Sequence, residues 1–118
     1  MNLLPATLAA GGTGGQLDGG PLLAFADGPR PGADGMKLTI GIRPEHVALV
    51  ASGLALTIDL VDPLESETVL IRRLADGEML SVKVAGPAPP GEVVQIAFPS
   101  ASLHVFNAAT GLRLDPPG

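Results

Sequence analysis

The chain has 118 residues, no cysteine, and a net charge of −5 from twelve acidic and seven basic side chains. The absence of cysteine excludes disulfides, thiol nucleophiles and zinc–thiolate sites, and the acidic balance argues against nucleic acid or an anionic membrane surface as a partner. Length and composition predict one compact globular domain, and because only three residues are aromatic, its core must consist of Leu, Val, Ile and Ala.

The first predicted elements are two strands, at residues 2–9 and 16–25, joined by a glycine-rich tip at 11–15. So much glycine is also typical of a phosphate-binding loop, but a P-loop needs Gly-Lys-Ser/Thr, and neither lysine of this chain follows a glycine. A hairpin tip is therefore the preferred interpretation. The segment DGPRPGADG at 27–35 is predicted to be a loop.

A charged corner separates the next two predicted strands, at 37–42 and 47–50. Pro44 lacks the N–H that a sheet ladder needs, and it holds Arg43 in an extended conformation. In an extended chain Arg43 and Glu45 would lie on the same side, close enough for a salt bridge that stabilises by only about 0–1 kcal/mol. The tetrapeptide RPEH is therefore predicted to be a corner, with a function only if a partner meets it.

Alternation of apolar and polar residues predicts three further strands, each with one buried face. These strands are at 56–60, 80–84 and 94–98. Asp76-Gly77 predicts a tight hairpin turn between strands at 66–74 and 78–84. A single helical turn is expected at 99–102. The tail at 115–118 is expected to be disordered. The pattern predicts an all-β fold, a small barrel or sandwich of short antiparallel strands with little helix.

Few side chains are placed for catalysis or metal binding. His46 and His104 are far apart in sequence and lack a spaced set of carboxylates, so each is interpreted as structural or exposed. Glu65 and Glu67 would share one face of a strand, with Ser66 pointing the other way. A solvent-facing pair is preferred to an acid–base dyad, and we expect no enzyme activity from this chain.

Five segments in the same order resemble one family: MNLLPA at 1–6, GQLDGG at 15–20, GIRPEHVAL at 41–49, LVDPLESETVL at 60–70 and LHVFNAATGLRL at 103–114. They are similar to the C-terminal region of ATP-binding subunits of carbohydrate ABC importers, most of all the sn-glycerol-3-phosphate importers. The resemblance implies an OB-like TOBE domain at 1–114. It also implies a parent protein whose nucleotide-binding domain, with its ATP and Mg²⁺, is absent from this chain.

The resemblance further implies an accessory domain for dimerisation and regulation, with no cofactor of its own. The implied partners are a second copy, its own upstream nucleotide-binding domain, indirectly a membrane permease, and a regulatory protein in some members, all at the cytoplasmic face of the cell membrane. The candidate contacts for a subunit or regulator are Arg43, Glu45, His46, Ser66 and Glu67. Glu65 and Asn107 depart from the glycine and aspartate that are common in the family.

Two other classes of function stay open. A small-ligand module of OB-like form would bind an oxyanion or a sugar, with backbone amides at glycine-rich turns as anion donors. A reader of single-stranded nucleic acid would need aromatic platforms in a basic groove, which three Phe and a net charge of −5 do not provide. The N-terminus lacks the basic region of a secretory signal, and no apolar run approaches the roughly 18 residues of a membrane helix.

Overall fold

The structure is a computed structural model that describes residues 1–18, 20–26, 28–73, 79–88 and 91–115. These ranges contain ten short strands and three 3₁₀ turns of three residues each, and no longer helix. The strands form three sheets, and the pairs whose registers are resolved are antiparallel. The prediction of an all-β fold of short antiparallel strands with little helix is confirmed.

In chain order the strands are β1 Asn2–Ala9, β2 Gly14–Leu17, β3 Leu22–Ala24, β4 Lys37–Ile42, β5 Ala48–Thr57, β6 Leu60–Pro63, β7 Glu67–Arg73, β8 Met79–Ala85, β9 Val93–Ala97 and β10 His104–Asn107. The 3₁₀ turns are Ala10–Gly12, Pro44–His46 and Ser100–Ser102, the last of them at the helical turn predicted for 99–102.

Internal contacts divide the chain into two compact units. The first, here called the five-stranded unit, comprises Leu3–Ile42 and Ser100–Gly118. The second, here called the corner unit, comprises Met1–Asn2 and Arg43–Pro99. The single domain predicted over 1–114 stays a prediction.

The five-stranded unit is built on one sheet in the order β10–β4–β1–β2–β3. Strand β1 alternates, with Leu4, Ala6 and Leu8 buried and the residues between them exposed or half-buried. The strand predicted at 37–42 matches β4 at both ends. As predicted, aliphatic side chains dominate the core, and Phe25 joins them.

The single strand predicted at 16–25 is wrong, because the structure has a hairpin of β2 and β3 there. The Gly20 N–H donates to the Leu17 carbonyl, and the Leu17 N–H donates to the Pro21 carbonyl, each at 3.1 Å. Pro21 has no N–H to continue a ladder, so the chain turns before it and re-enters the sheet with Leu22 opposite Gln16.

The glycine-rich tip between β1 and β2 is a left-handed turn. Ala10, Gly11 and Gly12 have φ of 54°, 68° and 88°, a region that strongly favours glycine. A Cβ at Gly12 would lie 2.6 Å from the Arg30 carbonyl oxygen, so a side chain has no room there. The Gly11 N–H faces the Asp34 carboxylate at 3.2 and 3.3 Å. The tip is a hairpin connection, as preferred, and one of its amides already meets an anion of the chain itself.

Residues 111–115, here called the C-terminal strap, fold back along β10. The backbone bonds between them run from the Asn107 N–H to the Leu112 carbonyl at 2.9 Å and from the Leu114 N–H to the Val105 carbonyl at 2.8 Å, on either side of a bridge between Phe106 and Arg113. Of the tail predicted to be disordered, Asp115 forms an ion pair with Arg113 at 2.9 Å, and residues 116–118 lie outside the described residues.

The corner unit contains the pair β5–β9 and the three-stranded sheet β6–β7–β8. Leu70, Val82 and Ile96 are almost inaccessible and form the centre of its core. The predicted antiparallel pairing of β7 with β8 is confirmed, with Leu70 opposite Val82. The turn predicted at Asp76-Gly77 lies outside the described residues.

The strand predicted at 47–50 is longer than expected. It begins at Ala48 and continues as β5 through Gly53, with a register shift that places both Leu49 and Leu54 opposite Ile96. A Cβ at Gly53 would lie 2.5 Å from the Ile96 carbonyl oxygen. Glycine at this position therefore allows close backbone contact within a bulged strand, where the sequence indicated a strand end.

The strand predicted at 56–60 is wrong because the chain changes sheets within it. The Ile58 N–H donates to the Glu92 carbonyl at 2.7 Å, beside β9. The next amide, Asp59 N–H, donates to the Ile71 carbonyl of β7 at 2.8 Å. A two-residue change of partner ends β5 and begins β6, although the apolar alternation continues through it.

Candidate functional site

The candidate site starts at the corner between β4 and β5. Arg43 is extended, with φ −71° and ψ 144°, and Pro44 opens the 3₁₀ turn, as expected for the residue before proline and for proline at a first helical position. The His46 N–H donates to the Arg43 carbonyl at 2.9 Å and closes the turn. Val47 is buried behind it. The predicted strand-ending corner is confirmed.

The corner packs against β8 and presents its charged side chains to solvent. Arg43, Glu45 and His46 are all exposed. The predicted salt bridge between Arg43 and Glu45 is wrong, since the ion pairs of the described residues do not include one between them. That prediction assumed an extended chain, whereas the 3₁₀ turn rotates alternate side chains away from each other.

The Glu45 carboxyl has the one resolved electrostatic perturbation in the described part of the corner. A hydrogen bond from its own backbone amide lowers the pKa of Glu45 below its ordinary value. Desolvation is the second largest influence and raises this pKa, and the charges of Lys83, His46 and Arg43 lower it, in that order. Glu45 is therefore a firmly ionised, accessible acceptor at neutral pH.

Ser66 and Glu67 lie at the tip of the β6–β7 hairpin. The Leu64 N–H donates to the Glu67 carbonyl at 2.8 Å, which leaves a two-residue loop of Glu65 and Ser66. The Ser66 carbonyl accepts the Gly86 N–H at 2.9 Å. The backbone of the tip is thus held to the end of β8, while the Ser66 side chain is exposed.

The carboxylates of Glu65 and Glu67 do not form the pair that their spacing predicted. Glu65 lies in the turn before β7, so the two do not share a strand face. Glu67 Oε2 instead lies 3.9 Å from Lys83 Nζ, with both side chains partly exposed. An exposed ion pair of this kind stabilises by about 0–1 kcal/mol. The preferred interpretation, carboxylates in solvent and no dyad, fits this arrangement.

Lys83 is the residue of this region that the sequence interpretation missed. It lies on the outward face of β8, pairs with Glu67 and acts electrostatically on Glu45. The signal in the sequence was its polar position within the alternating run 80–84. The packing of the corner against β8 could not be read from the chain, because these two elements are far apart in sequence.

Neither a metal site nor a membrane-spanning helix is present in the described ranges. No three His, Cys, Asp or Glu side chains gather around one point there, and no helix there has the length and apolar composition to cross a bilayer. His46 belongs to the corner unit and His104 to the five-stranded unit. A small cleft of about 180 Å³ in the five-stranded unit is lined by Pro29, Arg30, Pro31 and Asp115.

Comparison with known proteins identifies the family. Residues 40–106, which contain the corner, the β6–β7 tip and Lys83, match the family model of the TOBE domain. This chain belongs to the TOBE domain family. Residues 1–47 also match the model of the MalK OB fold domain, which supports the expected OB-like form of this TOBE domain. The RPEH corner lies where the two matches overlap.

The TOBE domain is also similar to parts of three larger proteins, each an sn-glycerol-3-phosphate import ATP-binding protein UgpC. The identity is 35% to the proteins of Salmonella typhi and Escherichia coli O157:H7 and 34% to that of Salmonella typhimurium. Each match covers 97% of this chain and 33% of the relative. The chain thus spans about a third of the length of these curated relatives.

The structure accounts for both residues at which the sequence departs from the family pattern. Glu65, in place of glycine, has no positive φ, since Ala10 is the non-glycine residue with that conformation in the described ranges. Asn107, in place of aspartate, accepts the N–H groups of Ala109 and Thr110 on Oδ1 at 2.8 and 3.2 Å. An aspartate oxygen would accept the same bonds.

Proposed function

We propose that this TOBE domain is the accessory C-terminal domain of the ATP-binding subunit of an importer for sn-glycerol-3-phosphate or a related carbohydrate. The observation that carries the proposal is similarity over 97% of the chain to UgpC proteins, of which it covers 33%. The chain has no Gly-Lys-Ser/Thr motif. ATP and Mg²⁺ therefore belong to the nucleotide-binding domain of the proposed parent, and this chain has no catalytic activity or cofactor of its own.

In the proposed parent, the domain forms a homodimer contact and receives regulatory proteins at the corner. Arg43, Glu45 and His46 are exposed on a closed turn, so the backbone that carries them is already ordered before a partner binds. Glu67 and Lys83 extend the charged surface along β7 and β8. The mixture of charges favours recognition by electrostatic complementarity. The parent would act at the cytoplasmic face of the membrane, against a permease.

The proposal is tested by exchanging domains. In the UgpC protein of Escherichia coli O157:H7, the third that this chain matches is replaced by the 118 residues, and import of sn-glycerol-3-phosphate is measured in cells that lack the native subunit. We expect import well above that of UgpC lacking the matched third. A matched control carries Val82→Asp, which places a charge in the core and should abolish the gain.

Two outcomes would count against the proposal. A chimera that accumulates normally but imports no more than the truncated protein would show that the domain does not substitute. A Val82→Asp chimera as active as the parent chimera would show that the folded domain is not needed.

A further inference from the structure

Strand β6 forms an open edge of the corner unit. It is the first strand in the order β6–β7–β8, and no other named strand of the described ranges pairs with its outer side. The RPEH corner packs against β8, at the opposite edge of this sheet. The edge of β6 is therefore a second surface of the corner unit, separate from the surface proposed for dimerisation and regulation.

The backbone of β6 offers a donor and an acceptor on its outer side. The N–H groups of an antiparallel strand alternate between the two sides of the strand. The Leu64 N–H donates to the Glu67 carbonyl at 2.8 Å, so the N–H of Asp62, two residues earlier, also faces β7. The N–H and C=O of Val61 therefore face outward. Pro63 has its nitrogen on the same outer side, but proline has no N–H to donate.

The side chains of this edge are apolar and exposed on both faces of the sheet. Leu60, Val61 and Leu64 are 45%, 51% and 49% exposed. Leu60 and Val61 are neighbours in a strand, so their side chains lie on opposite faces. An open edge can accept an added strand, whose main chain contributes affinity and whose side chains contribute specificity.

Two carboxylates favour one kind of added strand over another. Asp62 lies within β6 and Glu65 in the loop that follows it, and both are exposed. Neither is a member of the ion pairs formed among the described residues. A second copy of β6 would bring the same carboxylates to this edge, in a chain of net charge −5, and like charges on adjoining strands are destabilising. A strand with basic side chains would instead meet complementary charge.

We propose that the edge of β6 binds an extended segment of another protein, in which apolar and basic residues alternate. The segment pairs with the N–H and C=O of Val61. Its apolar side chains lie on the face of Val61 and Pro63, and its basic side chains lie on the face of Asp62, close to the acidic loop. Because Pro63 offers no donor, the pairing is short and reversible.

The test is hydrogen exchange of the Val61 amide in the 118-residue chain, with a capped heptapeptide of alternating lysine and valine as the probe. With free peptide at about four times its Kd, we expect protection of Val61 to rise about fivefold, since about a fifth of the edges stay open. Protection of Leu70, inside the sheet, should not change. A matched heptapeptide of alternating glutamate and valine, at the same concentration, should raise protection of Val61 less than about twofold.

Two variants separate backbone pairing from charge. Val61→Pro removes the outward N–H and leaves the bonds to β7, so the Kd of the labelled lysine peptide, measured by fluorescence anisotropy, should rise about tenfold. Asp62→Lys with Glu65→Lys should reverse the preference, so that the glutamate peptide protects Val61. This double variant changes exposed side chains and keeps the proposal testable even if Val61→Pro does not fold. Glu92→Lys, at another exposed carboxylate of the unit, is the control and should still prefer the lysine peptide.

Four results would overturn the proposal. The first two are no protection of Val61 by either peptide and equal protection by both. Protection that rises with the concentration of the chain alone would make a second copy the occupant of the edge. A folded Val61→Pro chain that binds the lysine peptide as tightly as the unsubstituted chain would exclude an added strand at β6.

Discussion

The side-chain amide of Asn2 pairs with both backbone groups of Ser81. Asn2 Nδ2 donates to the Ser81 carbonyl at 2.7 Å, and Asn2 Oδ1 accepts the Ser81 N–H at 2.8 Å. Asn2 is only 4% exposed, and both residues belong to the corner unit. A single side chain thus satisfies the groups of β8 that a neighbouring strand would otherwise bind.

Removing this amide should destabilise the corner unit. Asn2→Ala leaves the Ser81 N–H and carbonyl without their partner, and we expect a loss of about 1–3 kcal/mol in the free energy of unfolding, measured with urea. Asn2→Asp keeps the acceptor but places a carboxylate oxygen against the Ser81 carbonyl, so it should be no more stable than Asn2→Ala. Wild-type stability in Asn2→Ala would show that water replaces the amide without cost.

The bulge in β5 should tolerate no side chain at Gly53. In Gly53→Ala the new Cβ would lie 2.5 Å from the Ile96 carbonyl oxygen, a backbone atom that cannot move alone. We expect a loss of about 1–3 kcal/mol in thermal or urea unfolding. Ser52→Ala, at the exposed neighbouring position, is the matched control and should change stability by less than about 0.5 kcal/mol. Equal stabilities of the two variants would contradict the bulge.

These contacts show which parts of the fold can be read from the sequence. Strand β4 and the corner were predictable because alternation and Pro44 act locally. The hairpin at Gly20 and Pro21 was missed because the apolar residues on both sides were interpreted as one strand. The Gly-Pro pair between them is itself typical of a turn. The switch at Ile58 carries no local signal, since its two partners are Glu92 and Ile71.

The candidate site divides in the same way. The sequence indicated exposed charges at the RPEH corner, and the structure has them on a closed turn. The sequence could not indicate the roles of Lys83 and Asn2. Lys83 acts on Glu45, and Asn2 bonds to Ser81, and both partners are far away in sequence. The family resemblance indicated candidate positions, but the assumed extended geometry gave a salt bridge that the turn does not form.

The turn after β10 should accept aspartate but not alanine at position 107. Asn107→Asp keeps an oxygen for the N–H groups of Ala109 and Thr110. We therefore expect its free energy of unfolding to lie within about 0.5 kcal/mol of that of the unsubstituted chain. Asn107→Ala removes both bonds and should cost about 0.5–1.5 kcal/mol in urea unfolding. If Asn107→Asp is as destabilised as Asn107→Ala, the contact of Nδ2 with Met36 Sδ at 3.8 Å matters more than the turn.

Replacing the exposed corner charges should separate assembly from stability. Glu45→Ala with His46→Ala removes two exposed side chains, so the free energy of unfolding should change by less than about 0.5 kcal/mol. We expect weaker self-association in sedimentation equilibrium, because the proposed contact loses its charges. Glu92→Ala, an exposed carboxylate of the same unit, is the control and should leave association unchanged.

The same double variant also tests the alternative function, a small-ligand module. Loss of a calorimetric signal with sulfate, molybdate, glycerol phosphate or maltose, with association and stability intact, would favour a small-ligand module at the corner. If association is unchanged and neither the unsubstituted chain nor the variant gives a ligand signal, the corner takes part neither in assembly nor in ligand binding.

The titration of Glu45 should follow its lowered pKa. We expect NMR to give a pKa for this carboxyl below that of glutamate in a short peptide. Because the folded-state value is the lower one, the associated stability is present above the unfolded-state pKa and is lost as pH falls through the folded-state pKa. Lys83→Met should recover only the smaller part of the shift, since the backbone amide of Glu45 is the larger cause. Recovery of the whole shift would reverse that order.

The change of sheets at Ile58 and Asp59 has a consequence for the order of folding. Asp59 bonds to Ile71 within a local meander of β6, β7 and β8, whereas Ile58 bonds to Glu92 across the whole meander. Closing the longer loop costs more chain entropy, and non-local pairing is slow. The meander of β6, β7 and β8 should therefore form first and bring β9 close to β5. Pairing of β5 with β9, which the meander separates in sequence, should then be the last step of folding.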